Sequence, residues 1–267
     1  MSFEALFNGL ETFLNLSPER LNTTSYMCRR LSWNQINNFY KKIFDFELPN
    51  CNELETYYIN SEINTMIKTI NTNPIKYNFK TVIYDNKNHI SIQIFKPETI
   101  INWIINNQNK KMLAIPIILD SKTKGNENHM ISITINNITK KIFLVDPNGK
   151  IDFFKENLEL NILTENIIRQ YFDRYICSSL NYKYYGMQDW NYYKIHVNPS
   201  FKTDIGVSSG HCVATSIMIN CLIFTKGDPN EFIIDFRNID HGELAYLITC
   251  FSDFLSFNAT GCKIVYV

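Results

Sequence analysis

Ser208-Ser209-Gly210-His211-Cys212-Val213-Ala214-Thr215-Ser216 is the stretch whose reading decides the fold. Two hydroxyl residues and a glycine lead into a cysteine, and a mostly apolar run follows from Val213 to Phe224. Such a run predicts a buried helix, with Ser208 or Ser209 as its N-cap. Cys212 then falls in the first turn, where unpaired N–H groups and the positive end of the helix dipole favour a negative charge. A thiol so placed ionises below its ordinary range, and the thiolate is the nucleophilic form. The competing reading is a cysteine that serves only as a small buried apolar side chain.

The composition sets the frame around that helix. The 267 residues are 45% hydrophobic and 14% aromatic, enough for a sizeable core in one domain, or one domain with an extension. Lys+Arg and Asp+Glu both number 26, for a formal net charge of zero. That balance argues against a polybasic nucleic-acid surface or an acidic tail. No apolar run approaches the roughly 18–20 residues of a membrane span, and Met1-Ser2-Phe3-Glu4 lacks a basic leader start. A soluble, non-secreted protein without nucleic-acid or membrane partners is expected. The 7 cysteines are scattered and form no CxxC pair, so neither a zinc ribbon nor a dithiol is supported, and a reducing compartment fits best.

Upstream, residues 1–80 read as a helical N-terminal extension and 81–267 as the domain that carries the chemistry. Phe3, Leu6, Phe7, Leu10, Phe13 and Leu14 recur at helical spacing. Ser17-Pro18-Glu19-Arg20 starts a helix, Leu31 to Phe46 gives another, and Glu53 to Ile70 resumes after the break Pro49-Asn50-Cys51-Asn52. An accessory, substrate-facing extension and a part of the core are equally open for this region. Thr81–Tyr84 and Ile90–Phe95 alternate as strands. Pro97-Glu98 opens a short helix through Ile105, and Met112 to Leu119 is a buried strand whose Pro116 predicts an edge or a bulge.

His129 to Ile135 alternates, Asn136-Asn137-Ile138-Thr139 turns, Lys140 to Val145 returns, and Asp146-Pro147-Asn148-Gly149 ends the strand. A four-residue turn over 136–139 sets Ile133 opposite Ile142, Ile131 opposite Leu144 and His129 opposite Asp146, all on one face. A carboxylate there orients an imidazole and stabilises its cation. The plainer alternative is a surface histidine near a turn-forming Asp-Pro. Further on, Asn157 to Tyr175 reads as a helix, Tyr182 to Trp190 as an aromatic strand, 191–207 as irregular, about 241–257 as a last helix and Lys263 to Val267 as a short strand.

His129, Asp146 and Cys212 thus stand in an order that cysteine catalysis can use: a thiol, a base beside it and a third group orienting the base. Here the chain resembles the ubiquitin-like-protein proteases, the clan that also holds adenovirus and poxvirus proteases. Ala114-Ile115-Pro116-Ile117-Ile118 looks like that family's apolar-Pro strand ahead of its histidine, and the interval from His129 to Asp146 is its usual spacing. Ser209 to Ser216 resembles the Gly-aromatic-Cys-Val-Ala-Trp-Ser block of its large-DNA-virus branch, and Asp228-Pro229 resembles the break after the helix. The resemblance spans roughly residues 110–230. Two positions depart from the cellular members: Met130 stands where they carry a Trp that helps form the slot for a Gly-Gly tail, and Gly206 where they carry the oxyanion Gln. Gly186-Met187-Gln188 looks like the viral branch's Gln block, which makes Gln188 the candidate oxyanion residue, against a polar residue at a strand end.

The resemblance implies an α+β fold: a mixed central sheet with a buried helix carrying the nucleophile at its N-terminus and helices outside, the papain-like or adenain-like architecture. It implies a monomeric cysteine protease that cuts after the C-terminal glycine of ubiquitin or a ubiquitin-like modifier, in a host cell's cytoplasm or nucleus or packaged in a virion, with no metal or other cofactor. Viral polyprotein cleavage, an effector-type acetyltransferase with the same triad order and a catalytically dead binding module stay open as alternatives. His211 adjoins the nucleophile but points about 100° away on a helix. His89, His196 and His241 read as surface residues, Asp204 as a secondary candidate for orienting the base, and Trp103 and Trp190 as core side chains rather than channel walls.

Overall fold

Alternating isoleucines build the centre of the molecule. The computed structural model describes residues 31–60, 89–121, 127–149, 158–189, 201–202, 208–209 and 212–229, with positions 248, 251–252, 254–255 and 258–259. Strands β1 (Leu54–Asn60), β2 (His89–Phe95), β3 (Met112–Ser121), β4 (Glu127–Asn136), β5 (Lys141–Val145) and β6 (Lys183–Tyr185) form one sheet in sequence order. All pairs are antiparallel except β5 with β6, which makes the sheet mixed and the fold α+β. Ile131, Ile133 and Ile135 on β4 lie opposite Ile117, Ile115 and Leu113 on β3, and all six are fully buried. Ser132 and Thr134, on the other face of β4, are equally buried. A strand covered on both faces occupies the middle of a layered core.

The helix predicted after the quoted stretch is present as Cys212–Lys226, and every residue from Ala214 to Ile223 is buried. Helix α1 (Trp33–Phe44) precedes the sheet, α2 (Pro97–Asn106) joins β2 to β3, α3 (Leu158–Tyr171) follows β5, and Cys212–Lys226 is α4. A helix apolar on all sides must be enclosed, and α4 lies against β4. It ends where Gly227 adopts φ 89° and its N–H closes on the Ile223 carbonyl at 2.7 Å, a conformation that glycine reaches without steric cost. Ser208 and Ser209 are not its caps. They pair with Phe201 and Lys202 as a small antiparallel ladder, three and four residues ahead of the first helical residue.

Several boundaries differ from expectation for identifiable reasons. Leu54–Asn60 is a strand rather than the start of a helix, since Thr56, Tyr57, Tyr58 and Ile59 are β-branched or aromatic and pair along the whole of β2. The sheet therefore begins ahead of residue 81, and Ile36, Phe39 and Tyr40 of α1 belong to the common core. That helix is capped as its sequence dictates, by a reciprocal Ser32–Gln35 box. The β4–β5 register is two residues from the expected one: Ile133 faces Leu144 and Ile135 faces Ile142. Asn136 Oδ1 accepts the N–H groups of Ile138 and Thr139, each at 3.0 Å, so Asn136 stays in the ladder and the turn moves to 137–140, with Lys140 at φ 55°. An even shift keeps each residue on its face.

Pro116 sits in an interior strand, yet the β2–β3 ladder covers only Ile118 to Ser121, so β3 has a partner on one side alone at the proline. That is the local edge a missing N–H tolerates. The predicted aromatic strand is only Lys183–Tyr185 and gives way to a 3₁₀ turn, Met187–Asp189. Helix α3 continues into a π segment, Phe172–Cys177. The described positions between 248 and 259 are helical, with Ile248, Phe251, Leu255 and Ala259 buried. The stripe at Phe3–Leu14, the strand at 81–84 and the terminal strand at 263–267 lie outside the described residues. Among the described residues no helix is long and apolar enough to cross a membrane.

Candidate active site

Asp146-Pro147-Asn148-Gly149 has the residue preferences of a type I turn: Asp first, Pro second, Gly last. The turn closes with the Gly149 N–H on the Asp146 carbonyl at 2.9 Å. Asp146 Oδ1 accepts the Asn148 N–H at 2.8 Å, which fixes the carboxylate over its own turn. The same oxygen meets His129 Nε2 at 2.9 Å, and both side chains are buried. His129 is not directly opposite Asp146 in the ladder. It reaches the carboxylate diagonally, from near the start of β4 to the residue just past β5.

Nε2 is thus engaged by the carboxylate. Cys212 lies within the charge and hydrogen-bonding reach of His129 and of the Met130 backbone. Burial opposes the imidazolium, but the Asp146 charge and hydrogen bond, helped by Cys212, outweigh it and push His129 up to about 10. Burial likewise opposes the thiolate, but the hydrogen bond and charge of His129 hold Cys212 below its ordinary value. Both directions favour the charged pair, a thiolate with an imidazolium, at the N-terminus of α4. By contrast, burial drives the Cys177 thiol up to about 12 and raises Cys221 as well, so neither competes as a nucleophile.

The distance between β4 and α4 is set by polar ties inside the core. Ser216 Oγ donates to the Met130 carbonyl at 2.9 Å. Asn220 Oδ1 accepts from Ser132 Oγ at 2.9 Å and Thr134 Oγ1 at 2.8 Å, while its Nδ2 donates to Tyr40 at 2.8 Å. Satisfied buried polar groups specify one packing, because any slip leaves donors and acceptors unpaired.

Gln188 occupies the middle of the 3₁₀ turn Met187–Asp189, and Met187 Sδ accepts the Asp146 N–H at 3.4 Å. Trp103 is a core residue: it is 8% exposed, and its indole donates to the Glu47 carbonyl. His89 is the first residue of β2. Asp204, Trp190, His196, His211 and His241 lie outside the described residues. The contributions of Asn148, Met187, Ser216 and Asn220 were not read from the sequence. Ser216 lay within the quoted stretch, and its spacing of one helical turn from Cys212 was the available signal. Among the described residues no group of His, Cys, Asp and Glu is placed to hold a metal ion.

Compared with known protein families, characterised proteins and solved structures, the chain has no match.

Proposed function

We propose that the chain is a cysteine peptidase in which Cys212 is the nucleophile, His129 the base and acid, and Asp146 the residue that orients His129. The observation that carries this reading is a buried histidine, His129, held at 2.9 Å by the Asp146 carboxylate, close enough to Cys212 that its charge and hydrogen bonding lower the thiol. The thiolate attacks a carbonyl carbon, and the oxyanion forms beside the N-terminal N–H groups of α4, with Gln188 as the side-chain donor. The imidazolium gives its proton to the leaving amine, which departs as the acyl-enzyme forms. His129 then takes a proton from water, whose oxygen attacks the thioester and releases the acid and the thiol. A mixed sheet with the nucleophile at the mouth of a buried helix supports an adenain-like version of the papain-like architecture.

The resemblance over roughly residues 110–230 carries the substrate class: a peptide or isopeptide bond after the C-terminal glycine of ubiquitin or a ubiquitin-like modifier. One observation favours a second substrate. Met130 is 3% exposed, so the position where cellular members place the Trp of the glycine slot faces the core, and a broader peptide cleft of a polyprotein-processing enzyme accommodates that. Ubiquitin, SUMO and related probes with a C-terminal thiol-reactive warhead separate the two. Addition of one probe to wild type and none to Cys212→Ala, read by intact mass, is the result expected. No adduct with any probe, from folded protein, removes the modifier reading and leaves the peptide substrate.

A further inference from the structure

Outside the triad, one cluster, with Glu165 buried and the Arg169–Asp189 pair partly exposed, lies next to the site. Glu165 and Arg169 stand one turn apart on α3, so they project from the same helix face. Glu165 is 7% exposed, and its carboxylate accepts a hydrogen bond from the Met187 backbone. Arg169 Nη2 donates to Asp189 Oδ2 at 2.7 Å, and the guanidinium carbon Cζ lies over the Tyr184 ring, 5.3 Å from its centroid. Asp189 Oδ2 also accepts the Gly186 N–H at 2.7 Å, and the Asp189 N–H returns to the Gly186 carbonyl at 3.0 Å. The approach is close enough that a Cβ on Gly186 would come within 2.5 Å of Arg169 Nη2 and 3.0 Å of Glu165 Oε1. The turn Gly186–Asp189 is thereby gripped at its middle and at both ends. Its Met187, fully buried, carries the sulfur that meets the Asp146 N–H.

We infer that Glu165 and Arg169 are positioning residues for the site: by clamping the Gly186–Asp189 turn against Asp146, they hold the carboxylate on His129 and fix where Gln188 stands. This rests on the peptidase reading of Cys212. Neither residue reaches the thiol, and each acts through the turn. A bidentate-capable guanidinium and a desolvated carboxylate exceed what a solvated helix pair needs, since exposed pairs of this spacing contribute little. The groups facing the clamp are Asp146, Asp173, Tyr184 and Asp189.

The test reads Cys212 itself and needs no substrate. Full-length protein is alkylated with iodoacetamide from about pH 5 to about pH 10, and the Cys212 peptide is quantified by mass spectrometry. Wild type is expected to react fast at about pH 6.5, and His129→Ala to lose that reactivity. Glu165→Ala and Arg169→Ala are each expected to react about tenfold more slowly there, the effect of one pK unit on thiolate population. Glu165→Gln, whose amide oxygen still accepts the Met187 N–H, is expected to stay near wild type. A purely structural role would lower the melting temperature and leave the pH profile in place. Wild-type profiles in both alanine variants overturn the clamp while leaving the nucleophile reading intact. An ordinary-thiol profile in wild type, unmoved by His129→Ala, overturns the peptidase reading itself. Should the alanine variants fail to fold, Asp189→Asn at a partly exposed site replaces them: slower alkylation at about pH 6.5 supports the clamp, and an unchanged rate overturns it.

Discussion

Ser216 Oγ donates to the carbonyl of Met130 at 2.9 Å, joining the residue one turn beyond Cys212 to the residue next to His129. Nucleophile and base lie on different elements, and this bond fixes how far apart those elements stand. Ser216→Ala removes it and leaves a buried carbonyl with less than its full set of partners, at a cost of about 1–2 kcal/mol. Urea denaturation should show that loss. Alkylation of Cys212 at neutral pH should slow in the same variant, and unchanged alkylation would mean that α4 is held in place without it.

Removing the reacting groups one at a time should give graded effects. Cys212→Ala is expected to abolish turnover with the fold retained, as judged by far- and near-ultraviolet circular dichroism. His129→Ala should cost nearly as much. Asp146→Ala should cost less, on the order of a hundredfold in kcat/KM, because it misplaces the base without deleting it. Full activity in Cys212→Ala would sink the mechanism outright.

The opposed shifts of His129 and Cys212 define a pH window. His129 is raised, so the stability from its charged form is complete below its ordinary value and is lost as pH rises through about 10. Cys212 is lowered, so the stability from its thiolate is complete above its ordinary value and is lost as pH falls through the depressed one. Between the two limits the ion pair persists. Turnover should therefore show an acid limb below the ordinary thiol range and an alkaline limb near 10. A single rise in the range of an unperturbed thiol would contradict the pairing.

Asn220 holds three hydroxyl groups inside the core, those of Ser132, Thr134 and Tyr40. Asn220→Ala strands them and should destabilise by about 2–4 kcal/mol, whereas Tyr40→Phe, which removes one partner, should cost about 1 kcal/mol. The comparison is made by chemical denaturation, and equal costs for the two would show that the network does not centre on Asn220.

The contact of His129 with Asp146 and the place of Cys212 at the start of its helix were legible because each residue sits in a local pattern: Cys212 ahead of an apolar run, His129 at the start of an alternating strand, Asp146 at the head of a Pro-Asn-Gly turn. The buried helix followed from its unbroken apolar run, whereas the mixed sheet was an expectation of the resemblance, since alternation does not reveal the parallel β5–β6 pair. The hairpin register was not legible, because a side chain, Asn136 Oδ1, moved the turn by capping two backbone N–H groups. Strand β1 was missed because its partner β2 is distant in sequence and its own residues also fit a helical stripe. Glu165 and Arg169 carried no signal of their own, since a Glu and an Arg four apart on a helix are common on exposed faces. Only folding, which brings α3 under the turn after β6, gives them a buried target.

The link from Tyr40 to Asn220 and the pairing of β1 with β2 also bear on how this protein could be dissected. A fragment starting at residue 81 looks like a natural minimal domain on paper. It would lack α1 and β1, and β2 would become the sheet's open margin, offering unpaired N–H and C=O groups to any neighbouring chain. The excised piece would be a recipe for precipitation, and an engineered minimal version has to keep Trp33 through Asn60.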